Sequence, residues 1–137
     1  MTLTLKIITQ EKELLRQEVE SVTIPTVDGE ITVLANHVPL FTRIKVGEVI
    51  FRNDGEEHSV VVADGFTDVS PDNVVTIMTD TAVRSSDIDI LKAEEAKKRA
   101  EEQMQHKLDQ RDFVLAEASL RKAMMEIQSY NKRKNIS

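Results

Sequence analysis

The sequence predicts an α+β chain in two parts, an N-terminal all-β sandwich over residues 1–84 followed by a C-terminal antiparallel two-helix hairpin over residues 85–137. Two observations carry this. The hydrophobic period is two before Arg84 and helical after it, and every glycine and proline lies before that change.

In the first part Leu3, Leu5 and Ile7 alternate with Thr4 and Lys6, and Val22 and Ile24 alternate with Ser21 and Thr23. Further β-rich runs cover residues 30–34, 48–52, 58–63, 66–69 and 74–78. Between them stand Asp28-Gly29, Asn53-Asp54-Gly55, Asp64-Gly65 and Pro71-Asp72-Asn73, which supply Gly or Asn where a turn needs positive φ. Seven or more short strands at this spacing, with no helical pattern among them, predict a sandwich or barrel. Trp is absent and aromatics are 4% of residues, so the core has to be built from Val, Ile and Leu.

After Arg84, Ser86-Asp87-Ile88-Asp89 has the form of a capping box, which predicts a helix starting there. Ala93, Ala96, Ala100 and Met104 follow at helical spacing, and a second stripe runs through Phe113, Ala116, Leu120, Ala123, Met124 and Ile127. The polar stretch 106–112 contains two Asp residues suited to ending one helix and capping the next. Both stripes are thin and rich in alanine, and a buried Ala contributes far less than the ~1.5 to 3 kcal/mol of a buried Leu or Ile. The hairpin is therefore expected to be weakly held, which suits a mobile element; a permanently packed hairpin fits the same pattern.

Charge divides the chain again. Residues 1–86 hold 7 Lys/Arg against 14 Asp/Glu, a net of −7, and the remaining residues hold 11 against 10, a net of +1. The acidic first part disfavours nucleic acid as a partner. Arg121, Lys122, Lys132, Arg133 and Lys134 make the end of the second helix basic. That cluster reads first as a solvated helix end favoured by the helix dipole, and it also suits an acidic protein surface or a phosphate.

Chemistry is sparse. The chain has no cysteine, which removes disulfides, thiolate nucleophiles and Cys-based zinc sites. His37, His58 and His106 show no metal-ligand spacing, and no glycine-rich phosphate loop or Gly-x-Ser-x-Gly nucleophile turn is present. Catalytic and metal residues are accordingly expected to be none. No apolar run approaches the ~20 residues that cross a bilayer, so direct membrane insertion is not expected. The segment from Asp28 to Thr42 stands out, because a tight turn and short strand lead to Asn36-His37 and then to Pro39 and apolar residues. It reads as an interaction surface or as a core edge.

Here the sequence resembles the epsilon subunits of F-type ATP synthases, through Gly29, Ile31, Asn36-His37 and Pro39-Leu40. The resemblance continues through Asp64-Gly65-Phe66, residues 80–84, Asp87-Ile88-Asp89 and residues 95–101, in order and over essentially the whole chain. It implies a non-catalytic central-stalk subunit that docks on the gamma subunit and on the membrane rotor ring of c subunits. Glu30, Asn36, His37 and Pro39 would then face the ring. It also implies that the hairpin lies folded or extends into the catalytic head of alpha and beta subunits. There the basic residues Arg121, Lys122, Lys132, Arg133 and Lys134 would restrain ATP hydrolysis.

Some members bind ATP on the hairpin, which here would involve Ile88, Asp89, Ala93 and Arg99. Lys92, Lys122 and Glu126 stand where that pattern has arginine. Lysine lacks the planar guanidinium fork and Glu126 reverses the sign, so ATP binding is expected to be weak or absent and no cofactor is expected. The implied location is peripheral, on the cytoplasmic face of a bacterial plasma membrane or the stromal face of a thylakoid; no transit peptide is read at the N-terminus. The competing reading is a β-sandwich recognition module with a helical oligomerisation tail, which predicts a stable oligomer instead of a monomer that co-purifies with gamma. A small hydrolase has only scattered acidic residues in its favour.

Overall fold

The computed structural model describes the backbone of residues 1–136 and the side chains of residues 1–133. The chain divides into two compact units, Met1–Val83 and Arg84–Ser137.

The strands are β1 (Leu3–Ile8), β2 (Glu13–Val19), β3 (Ser21–Thr26), β4 (Gly29–Leu34), β5 (Leu40–Ile44), β6 (Gly47–Asn53), β7 (Glu56–Val62), β8 (Gly65–Val69), β9 (Val74–Thr79) and β10 (Ala82–Arg84). They hydrogen-bond in the order β10-β7-β6-β3-β5-β8-β9-β1-β2, with β4 added on β3. β3 meets β5 through the single pair Thr26 and Ile44, so the ladder folds over at that point into two five-stranded layers. β1 pairs with β9 in parallel, whereas β1–β2, β3–β4, β3–β6, β5–β8, β6–β7 and β8–β9 are antiparallel.

Between the layers lies an aliphatic core. It takes Leu3, Leu5 and Ile7 from β1, Val22 and Ile24 from β3, Val49 from β6 and Val75 and Ile77 from β9, with Phe51 as its aromatic member. The period-two residues of β1 point inward while Thr4, Lys6 and Ile8 are only half-buried. β3 is buried along its whole length, including Ser21 and Thr23. Those two hydroxyls are satisfied: Arg52 reaches over the outer face and donates from Nη1 to Thr23 Oγ1 at 3.2 Å and to Ser21 Oγ at 3.5 Å.

Three strands were not legible as runs in the sequence: β2, β5 and β10. In β2 the outward Glu13, Arg16 and Glu18 mask the inward Leu15 and Val19. β5 begins inside the segment read as a loop, and β10 is three residues long. Two turns show different uses of glycine. Asp54 and Gly55 take φ of 52° and 76°, the paired positive values of a type I′ hairpin between β6 and β7. At Gly65 a Cβ would fall 2.0 Å from the Met78 carbonyl oxygen, so glycine is needed there for close strand approach.

The second unit holds α1 (Ile90–Met104) and α2 (Gln110–Ile136). The expected helix start at Ser86 is corrected: Ser85–Asp87 forms a single 3-10 turn, and Asp89 is the residue that caps α1. Its carboxylate accepts from the amides of Leu91 at 3.1 Å and Lys92 at 3.3 Å. A short acidic side chain placed directly before the helix satisfies two of its free amides, so it captures the N-cap from the upstream serine. Asp109 does the same for α2, accepting from Asp112 N at 2.8 Å. Ser85 Oγ and Ser129 Oγ lie 2.9 Å apart, which places the start of α1 beside the end of α2 and makes the pair antiparallel.

The seam between the helices is alanine: Ala93, Ala100, Ala116 and Ala123 are buried. Phe113 and Met124, expected in the second stripe, are instead 40% and 49% exposed. At 3.6 residues per turn they lie about 60° and about 80° from the centre of the stripe defined by Ala116, Ala123 and Ile127, on its margin.

Thr67 on β8 is fully buried and its Oγ1 has no hydrogen-bond partner among the described residues. A buried orphan hydroxyl costs about 1–3 kcal/mol, and valine has nearly the same shape. Thr67→Val is expected to raise the urea unfolding free energy of the sandwich by about 1 kcal/mol; a loss of stability would show that the hydroxyl is bonded.

Candidate functional site

Three surfaces stand out, and two of them carry the residues singled out by the sequence. The first is β4 and the turn after it. β4 pairs only with β3 among the described residues, so its other edge is free. Glu30, Thr32 and Leu34 are exposed and Ile31 and Val33 face inward, as strand alternation requires. The chain then turns: His37 N donates to Leu34 O at 3.2 Å, with Asn36 in the left-handed region at φ 67°. His37 Nδ1 lies 2.7 Å from Val38 O, and since a carbonyl only accepts, Nδ1 carries the proton.

Asn36, His37 and Pro39 are therefore brought together in one turn. Glu30 is not with them: it stands at the far end of β4, roughly 13 Å along the strand from Leu34, where the turn begins. The four residues mark the two ends of a strip whose middle is Thr32 and Leu34. Its Glu30 end is acidic beside Asp28, and its turn end is apolar, with Leu34 57% and Val38 74% exposed.

A second surface was missed in the sequence. On the outer face of β5, β8 and β9, Phe66 lies opposite Arg43 and Met78, and Phe41 lies opposite Asp68. The rings of Phe41 and Phe66 stack at 5.6 Å with an interplanar angle of 19°. Phe41 is 62%, Phe66 43% and Met78 37% exposed, a concentration of large apolar groups that water does not favour. The available signal was alternation: Phe41 shares the side of Arg43, whereas Ile44 shares the core side.

The third surface is the hairpin. A groove of about 460 Å³ is lined by Lys92, Arg99, Lys122 and Glu126 around an alanine floor that includes Ala93. Of the residues expected to meet ATP, Ala93 and Arg99 line it. Ile88 and Asp89 do not: Ile88 is buried and Asp89 caps α1. Lys92 and Lys122 were noted in the sequence as lysines in arginine positions, and both do line the groove.

Glu126 is half-buried there, and burial pushes its carboxyl above the usual carboxylate range, opposed in part by the Lys122 ammonium one turn away. The basic residues do not form one patch. Lys122 turns into the groove, while Arg121 is exposed and 3.9 Å from Glu117. Lys132 and Arg133 are exposed farther along α2, and the side chain of Lys134 lies outside the described residues. Among the described residues no group of three or more His, Asp or Glu gathers as a metal site, and no helix is long and apolar enough to cross a membrane.

A raised carboxyl favours the folded hairpin most when it is protonated. That contribution is fully present below the unfolded-state value and is lost as pH rises through the raised one. Helix stability followed by circular dichroism is expected to fall slightly from mildly acid to neutral pH. Glu126→Gln should flatten that slope, and an unchanged slope would remove Glu126 as its source.

Residues 2–85 match the family model for the ATP synthase delta/epsilon chain beta-sandwich domain, and residues 86–130 match that for the delta/epsilon chain long alpha-helix domain. The ATP synthase epsilon chain of Dehalococcoides mccartyi is 41% identical over 133 residues, covering 96% of this chain and 94% of that relative. The epsilon chain of Herpetosiphon aurantiacus is 36% identical over 135 residues, covering 98% of each. Among solved structures, a chain of the Euglena gracilis mitochondrial ATP synthase OSCP/F1/c-ring is 27% identical, with a TM-score of 0.77 over 90% of this chain and 78% of that one. With both its sandwich and its helices matched, and with relatives this similar over nearly their full lengths, the chain belongs to the delta/epsilon family of F-type ATP synthases, among the epsilon chains.

Proposed function

We propose that this chain is a non-catalytic central-stalk subunit that couples the gamma subunit to the membrane rotor ring and restrains ATP hydrolysis through its hairpin. The observation that carries the reading is the contrast in what holds each unit: an aliphatic core in the sandwich and four buried alanines in the hairpin. A rigid body with exposed docking surfaces suits transmission of torque. A pair of helices held by small side chains suits a device that opens and closes, because its states differ by little free energy.

In this reading the stacked Phe41 and Phe66 with Met78 meet gamma, where burial of aromatic surface supplies affinity. The β4 strip, from Glu30 to Asn36, His37 and Pro39, meets the polar loops of the c-subunit ring. The opened second helix reaches the alpha and beta subunits of the catalytic head. Arg121, Lys132 and Arg133 meet acidic surface there, joined by Lys122 when it leaves the groove and by Lys134. The assembly holds the chain at the cytoplasmic face of a bacterial membrane, or the stromal face of a thylakoid, without inserting it. Lys92 and Lys122 in place of guanidinium groups, and Glu126 among them, leave the groove a poor ATP site.

Removal of residues 86–137 is expected to leave gamma binding intact and to raise ATP hydrolysis by the soluble head several-fold, each ~1.4 kcal/mol of lost inhibitory contact being worth a factor of ten. Unchanged hydrolysis with the truncated chain would count decisively against restraint by this hairpin. ATP titrated into the whole chain should show no micromolar binding by calorimetry.

A further inference from the structure

We propose that Asn73, which no sequence signal marked as functional, is the positioning residue that holds the Asn36-His37 turn in its docking shape. Asn36 N donates to Asn73 Oδ1 at 2.6 Å, and Asn73 Nδ2 approaches Asn36 Oδ1 at 3.5 Å. The two residues are 37 positions apart and both adopt left-handed backbone, at φ 67° and 61°. Asparagine enters that region more readily than other side-chain-bearing residues, and its amide supplies one acceptor and one donor to a neighbouring chain segment.

Asn73 is itself firmly anchored. Its carbonyl accepts from Thr4 N at 2.8 Å, which ties it to β1, and its own N–H donates to Ser70 O at 3.3 Å. The turn after β4 has no comparable ladder of its own. Past Leu34 the strand pairing with β3 has ended, and Asn36 N–H would otherwise face solvent. The Asn73 side chain therefore stands in for a missing ladder bond and passes the rigidity of β1 to the exposed tip that presents His37, Val38 and Pro39. Pre-ordering a docking loop removes an entropy cost from binding, so affinity is where the bond acts.

This role rests on the reading that the turn faces the rotor ring, and two measurements separate the two claims. Asn73→Gly keeps left-handed backbone available and deletes the acceptor; Asn73→Asp keeps the acceptor. Amide exchange of Asn36 in the full chain reports the bond. Binding of the full chain to purified gamma bound to detergent-solubilised c-ring reports docking. With Asn73→Gly, Asn36 exchange is expected to accelerate and ring affinity to fall, each by about tenfold, as loss of one hydrogen bond implies. The unfolding midpoint should hardly move, and Asn73→Asp should restore both. Unaltered Asn36 exchange in Asn73→Gly would overturn the positioning role. Faster exchange with unaltered ring affinity would overturn the docking role by removing the turn from the ring interface.

Discussion

Alanine sets both the distance and the strength with which the two helices hold one another. Ala93, Ala100, Ala116 and Ala123 let α1 and α2 approach closely, yet each methyl removes little apolar area from water. Larger side chains that would strengthen the seam, Phe113 and Met124, lie on its margin and remain substantially exposed. Besides the alanines, the hairpin is defined by Asp89 and Asp109 at the helix starts, by buried Ile88 and half-buried Leu120 and Ile127, and by the Ser85–Ser129 contact at its open end. Caps fix where helices begin, each contributing about 1 kcal/mol, but they do not bind one helix to the other.

The sandwich is organised on the opposite principle. Its layers interlock large β-branched and leucine side chains, and its ladder folds over at one residue pair, Thr26 with Ile44. Buried Ser21 and Thr23 are satisfied beneath Arg52, and the buried Thr67 hydroxyl is the exception among the described residues. Such a body holds exposed groups in fixed register. The β4 strip and the Phe41–Phe66 stack are rigid presentations, because each sits on a strand whose other face is locked in the core. The proposed function needs both: rigid surfaces of this kind to carry torque, and an element that costs little to rearrange to regulate.

Much of this was legible in the sequence. Period-two alternation located β1, β3, β4, β6, β7, β8 and β9, and the disappearance of Gly and Pro after Pro71 marked the helical part. β2 escaped because its outward charges dilute the apolar signal, and β5 because a strand that starts directly after Pro39 looks like loop. The helix start was misplaced by three to four residues because Ser86 and Asp89 are both good caps, and only geometry shows which one the amides choose. Tertiary pairings are the class of feature that one-dimensional pattern does not carry. The Asn36–Asn73 bond, the stack of Phe41 on Phe66 and the convergence of Lys92, Arg99, Lys122 and Glu126 each join residues remote in sequence.

An alanine seam in one unit and an aliphatic core in the other imply that the helices open at far lower free energy than the strands. Native-state hydrogen exchange across the full chain, read residue by residue against denaturant, measures those free energies directly. Amides of α1 and α2 are expected to exchange through an opening several kcal/mol below that of β1, β3, β6 and β9. If the helical amides instead shared the slowest, global exchange of the sandwich core, a weakly held hairpin would be contradicted.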